Sequence, residues 1–166
     1  ESEVVEKSYN PKKKMEEALG VKMTKSRCHK GWAYIMLDAI TELDPRFRKA
    51  FAFGGVMLSV GVDDREGARL LFEKGVRLFP NYWSLSYQAA YHYLFEVQDA
   101  ERAADLLLQA HNNGGPVWLP ALAARLYDHA GRKALGISVL EEFIKTHPGG
   151  EAETRAKKRL EELQHQ

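Results

Sequence analysis

A single cysteine, Cys28, occurs among 166 residues. No internal disulfide can form, and with no second thiol nearby a zinc knuckle is excluded as well. Long apolar runs are also missing: no stretch of 18 uninterrupted apolar residues exists, so no segment reads as a membrane-spanning helix. Net charge is nearly absent, with 24 Lys+Arg against 23 Asp+Glu for a formal +1. Such a chain has no global field with which to gather nucleic acid or anionic lipid. Only residues 1–31 tilt the balance, with eight basic against five acidic groups. The first residue is Glu1 rather than Met, so an upstream segment, and any address signal in it, is expected to have been removed. What is present is enough to fold: 45% apolar and 28% charged residues fit one compact domain with a sizeable core.

The strongest positive signal is a repeat. Pro45, Pro80, Pro116 and Pro148 lie 35, 36 and 32 residues apart, each just after an amphipathic run. Proline lacks an N–H and disfavours helix in the residue before it, so each one closes a helix and can open the next. Between prolines the chain divides again. Residues 46–60 carry Phe47, Ala50, Phe51, Gly54, Val56, Met57 and Leu58 before Gly61 breaks the run. Asp63 with Glu66 three positions on reads as a capping box, and Ala68, Leu71, Phe72, Gly75 and Val76 then mark one apolar helical face. The next unit pairs a helix from Tyr82 to about Glu96 with one over Ala103 to Ala110. The third pairs Trp118–His129 with Leu135–Ile144. Upstream, Cys28–Leu43 reads as a lone helix of the second type.

These units resemble the tetratricopeptide repeat family, whose module is two antiparallel helices with small residues where they cross. The residues carrying the resemblance are Phe51, Gly54-Gly55, Leu58, Ala68, Phe72, Gly75 and Pro80 in the first unit. In the second they are Trp83, Ala89-Ala90, Tyr93, Ala103, Leu107, Ala110 and Pro116; in the third, Ala123-Ala124, Tyr127, Gly136, Leu140, Phe143 and Pro148. The likeness covers residues 29–148, with one or two extra residues in each of the first two units. It implies an all-α, right-handed α-solenoid of about three and a half helical hairpins over 28–148. Residues 151–166, with Ala152, Ala156, Leu160 and Leu163 as one apolar stripe on a charged helix, read as a capping helix. Residues 1–27 read as a basic, partly ordered segment.

Catalytic templates are absent. No G-x-x-x-x-G-K, G-x-G-x-x-G, H-E-x-x-H or G-x-S-x-G occurs. The six histidines are scattered through different units without metal-ligand spacing and read as helix-end and surface residues. Cys28 and His29 are helix neighbours pointing about 100° apart, which prevents their acting as a dyad. The expectation is a non-catalytic protein with no cofactor and no metal. The basic cluster Lys12-Lys13-Lys14 is interrupted by Glu16 and Glu17 and has no interleaved aromatic, so it reads as a solvated terminus rather than a nucleic-acid arm. An anionic-lipid tether through this segment is the runner-up reading.

The resemblance also assigns a partner groove. Its register gives Lys49, Ala52, Val56 and Ser59 in the first unit, and Ser84, Tyr87 and Tyr91 in the second. The third unit contributes Trp118, Ala121, Arg125 and Asp128. Tyr87 and Tyr91, four residues apart, share a face suited to a partner surface, although core packing is also open to them. Family members that clamp acidic chaperone tails use Lys and Asn where Ala52 and Val56 stand, so a protein or peptide partner with apolar or aromatic character fits better. The helix carrying Trp32, Ile35 and Met36 has only the basic, glycine-interrupted stretch before it as a lid. A dimer or small oligomer joined through that face is therefore expected.

Overall fold

Left-handed turns set the rhythm of the backbone. Lys30 (φ 56°), Asp63 (54°), Gln98 (64°) and Gly131 (74°) each occupy that region. Each is followed by one N-cap residue and a helix: α1 (Trp32–Leu43), α3 (Arg65–Leu78), α5 (Ala100–Asn112) and α7 (Lys133–Thr146). Between them run α2 (Arg48–Val56), α4 (Trp83–His92) and α6 (Leu119–His129), and α8 (Gly150–His165) closes the chain. The computed structural model describes residues 30–165. The segment read at 1–27, together with Cys28 and His29, lies outside the described residues. Among those described, the structure is all-helical, with no strand.

Helices pack in chain order, each on its successor, while α1 also touches α3, α2 touches α4 and α6 touches α8. The small and aromatic positions singled out from the sequence form the core. Phe51, Leu58, Ala68, Phe72, Ala89, Ala90, Tyr93, Ala103, Leu107, Ala110, Ala123 and Tyr127 belong to one buried cluster, and Ala124, Leu140 and Phe143 to a second with Ala156 and Leu163 of α8. Trp83 is half-buried. The close approach explains Gly55: a Cβ there would stand 2.5 Å from the Phe72 ring.

The first two units share a backbone feature. Both first helices end in a π-helical turn, Met57–Gly61 after α2 and Tyr93–Val97 after α4. A π turn absorbs one added residue without breaking the helix. The third unit, with the shortest proline spacing, has none; α6 ends at His129, with Ala130 as its C-cap ahead of the left-handed Gly131.

The expected start of α3 is corrected. The cap of α3 is Asp64, not Asp63. Asp63 takes the left-handed position, and its carboxylate faces Arg65 at 3.4 Å. Asp64 instead accepts from Gly67 N–H (2.8 Å), and also from Lys30 N–H (3.0 Å) and Gly31 N–H (2.8 Å) ahead of α1. Glu66, rather than reaching back to the cap, pairs with Arg69. Lys74 of α3 adds a second tie to α1, donating to Asp38 (2.8 Å) and Thr41 (3.0 Å) and pairing with Glu42.

Candidate functional site

The π turns place their residues at the edge of a cavity of about 590 Å³. Its wall is a ladder along α4 and its π turn. Tyr87 and Tyr91 meet at a tilt with ring centroids 4.8 Å apart, and Tyr91 meets Phe95 at 5.6 Å. Residues four apart lie one above another on a helix, so this spacing alone builds the ladder. Trp118, at the start of α6, closes the far side with its ring 6.1 Å from Tyr87, edge to face. Val56, Ser59 and Val60 form the opposite wall, and Phe72 the floor. Tyr87 donates to Tyr91 across 3.1 Å between their hydroxyls. At the rim, Arg65 pairs with Glu96 at 3.2 Å.

Beneath the aromatics lies a buried polar pair, Ser59 Oγ and His92 Nδ1, 2.8 Å apart. His92 does sit at a helix end, as expected, but it is 3% exposed rather than on the surface, packed against Phe72. A hydroxyl beside an imidazole has the reach of a nucleophile and its base. Ser59, however, is 4% exposed within a helical turn. The contact ties the π turn after α2 to the end of α4, and both residues line the cavity.

Of the groove residues expected from sequence, Val56, Ser59, Tyr87, Tyr91 and Trp118 converge on this cavity. Trp118, Ala121 and Arg125 also line a second cavity, of about 430 Å³, between α6 and α8. Asp128 lies 3.8 Å from Arg159 of α8. Lys49 is exposed on α2 and Ser84 half-buried on α4, and neither lines these cavities. Ala52 is a correction: it is 4% exposed and belongs to the core. Trp32, Ile35 and Met36 stand 76%, 57% and 43% exposed. Sequence reasoning missed Val60, Phe72, Gln88, His92, Phe95 and Glu96 as cavity residues; of these, Val60 and Phe95 were within reach, as the next i, i+4 steps from Val56 and Tyr91.

A third cavity, of about 500 Å³, holds His111, Phe143 and His147, with Glu142 also in its lining. The His147 ring stacks on Phe143 at 4.7 Å, and His111 meets both rings edge-on or tilted. Burial is the main cause that lowers the His111 pKa; the nearby His147 adds to it, and the Pro116 carbonyl opposes it. A lowered folded-state pKa means that the unfolded chain binds the proton more readily. The stability from a neutral His111 is therefore complete above about pH 6.5 and is lost as pH falls toward the folded value. The urea midpoint is expected to drop between about pH 7.5 and 5, and to drop less in His111→Gln. An equal drop in both proteins would place the pH sensitivity elsewhere.

Among the described residues no group of three or more His, Cys, Asp or Glu side chains is arranged to hold a metal ion, and no helix is long and apolar enough to cross a membrane. No known protein-family profile matches the chain, and no curated protein aligns with it significantly.

Proposed function

We propose that this protein is a non-catalytic interaction scaffold, a right-handed solenoid of about three and a half tetratricopeptide-like hairpins that binds a segment of a protein partner in its aromatic cavity. The observation that carries the reading is the convergence of Val56, Tyr87, Tyr91 and Trp118, from three helices, on one open apolar cavity. The repeated left-handed turn, cap and helix supports the hairpin array, since a solenoid reuses one backbone solution in each unit. Tyrosine and tryptophan offer large contact area with few rotatable bonds, which suits them to partner anchoring. The direct test is selection from a phage library of random peptides about twelve residues long. Enrichment of peptides that bind the intact chain and compete with one another is expected. Failure to enrich any peptide above an unrelated helical control would remove the reading.

The scaffold also self-associates in this proposal, through α1. The exposed Trp32, Ile35 and Met36 lie at one end of the helix array, whereas α8 at the other end presents a charged outer surface. Pairing two such faces about a two-fold axis buries both and closes the assembly. Light scattering after size exclusion is expected to give about twice the 18.8 kDa chain mass, and Trp32→Glu with Ile35→Glu is expected to return the monomer with its helicity intact. The monomer mass at every accessible concentration would refute the dimer.

A further inference from the structure

Trp118 belongs to two cavities of opposite character. On one side it walls the aromatic cavity beside Tyr87. On the other it borders the cavity between α6 and α8, whose charged residues are Arg125, Arg155, Lys158 and Arg159 against one carboxylate, Glu162. The α8 residues cluster because positions three, four and seven apart share a helix face, and Arg125 is presented by the helix on which α8 packs. Two of the cations are already held: Arg155 pairs with Glu151, and Arg159 with Glu162 (2.9 Å) and Asp128 (3.8 Å). Arg125 and Lys158 are exposed and have no ion pair among the described residues. Arg159 Nε is buried with no hydrogen-bond partner among the described residues, so even the paired guanidinium keeps an unused donor.

We infer that the two cavities form one recognition site, for a peptide that seats a large apolar side chain among the aromatics and lays a carboxylate side chain over Arg125 and Lys158. The inference rests on the partner-binding reading above and names the chemistry of its ligand. Two uncommitted cations and an unused guanidinium donor gain nothing from a purely apolar ligand, whereas a carboxylate gains charge-assisted hydrogen bonds from them. Because Trp118 is common to both cavities, the apolar and acidic groups must lie only a few residues apart on an extended chain. An anionic amphiphile such as a fatty acid shares the apolar and acidic character, but Gln88 favours the peptide. Gln88 lines the aromatic cavity, and its Oε1 is buried with no partner among the described residues. A peptide N–H can satisfy that acceptor, and a hydrocarbon chain cannot.

The selected peptides supply the test. They are expected to pair Trp, Phe, Tyr or Leu with Asp or Glu within about five residues, in clear excess over the starting library. Arg125→Glu with Lys158→Glu, two exposed changes that break no ion pair seen among the described residues, should weaken such a peptide about tenfold, and raising the salt to about 0.5 M should erode wild-type binding similarly. A copy of the peptide with Ser in place of its acids should bind the wild type and the double variant alike. Selected peptides without acidic bias, or full binding to the double variant while Tyr87→Ala still weakens it, would overturn this inference and leave the partner groove standing. Selection of nothing that Tyr87→Ala weakens would overturn both. Dodecanoate bound by the wild type and lost in the double variant, with no acidic peptide enriched, would make the ligand an amphiphile and overturn the inference.

Discussion

Asp64→Ala is expected to destabilise the protein by about 3 kcal/mol, more than a cap substitution ordinarily costs. The Asp64 carboxylate is 1% exposed and accepts from three backbone N–H groups, two of them 33 and 34 residues upstream. Removing it strands all three donors, and a buried donor without an acceptor costs about 1 to 3 kcal/mol before relaxation. One side chain thus caps α3 and pins the start of α1, so both elements should loosen together. For a domain of this size the change corresponds to a melting-temperature drop of roughly 6 to 12 °C. Asp64→Asn keeps one acceptor oxygen but turns an amide N–H₂ toward the donors, so it should recover less than half of the loss. Urea unfolding measures both variants, and a loss below about 1 kcal/mol in Asp64→Ala would show that the three hydrogen bonds are replaced by water.

Tyr87→Ala should weaken a selected peptide roughly thirtyfold, equivalent to about 2 kcal/mol. The Tyr87 ring sits at the centre of the aromatic wall, 4.8 Å from Tyr91, 6.1 Å from Trp118 and 6.3 Å from Trp83. Truncation removes the surface on which a partner side chain would stack and frees its three ring neighbours to turn. Tyr87→Phe keeps the ring and loses the hydroxyl contact to Tyr91, so its affinity should stay within about threefold of wild type. Helical circular dichroism should be unchanged in both. Collapse of the helical signal in Tyr87→Ala would make this residue core and remove it from the groove.

Much of the helix plan was legible because it is written in strong local signals. Proline disfavours helix in the residue before it, and the i, i+4 spacing of Tyr87 and Tyr91 puts them on one face in any helix. The groove residues Val56 and Trp118 came from register transferred by resemblance, and the structure places both in the aromatic cavity. Ala52 failed under the same transfer because a small side chain fits either a groove or a crossing, and only packing decides between them. The cap fell one residue late because Asp63-Asp64 offers two carboxylates in a row; the left-handed turn takes the first, and tertiary donors from residues 30 and 31 fix the second. The inward turn of His92 depends on Ser59, a residue from another helix, and so has no local pattern. The cationic cavity is the same case on a larger scale: Arg125 and Lys158 are far apart in the chain, and only the packing of α8 on α6 brings them together.

The most direct measurement of the central claim is a ¹H–¹⁵N spectrum of the labelled protein titrated with a selected peptide. The chain has three tryptophans, Trp32, Trp83 and Trp118, so its three indole resonances report separately on the exposed α1 face, the start of α4 and the rim of the aromatic cavity. The groove account predicts that the Trp118 indole and the amides of Val56, Tyr87 and Tyr91 shift together while Trp32 stays in place. A peptide that moves the Trp32 indole and the amides of Ile35 and Met36, and leaves Trp118 unmoved, would contradict it and put the binding surface on α1.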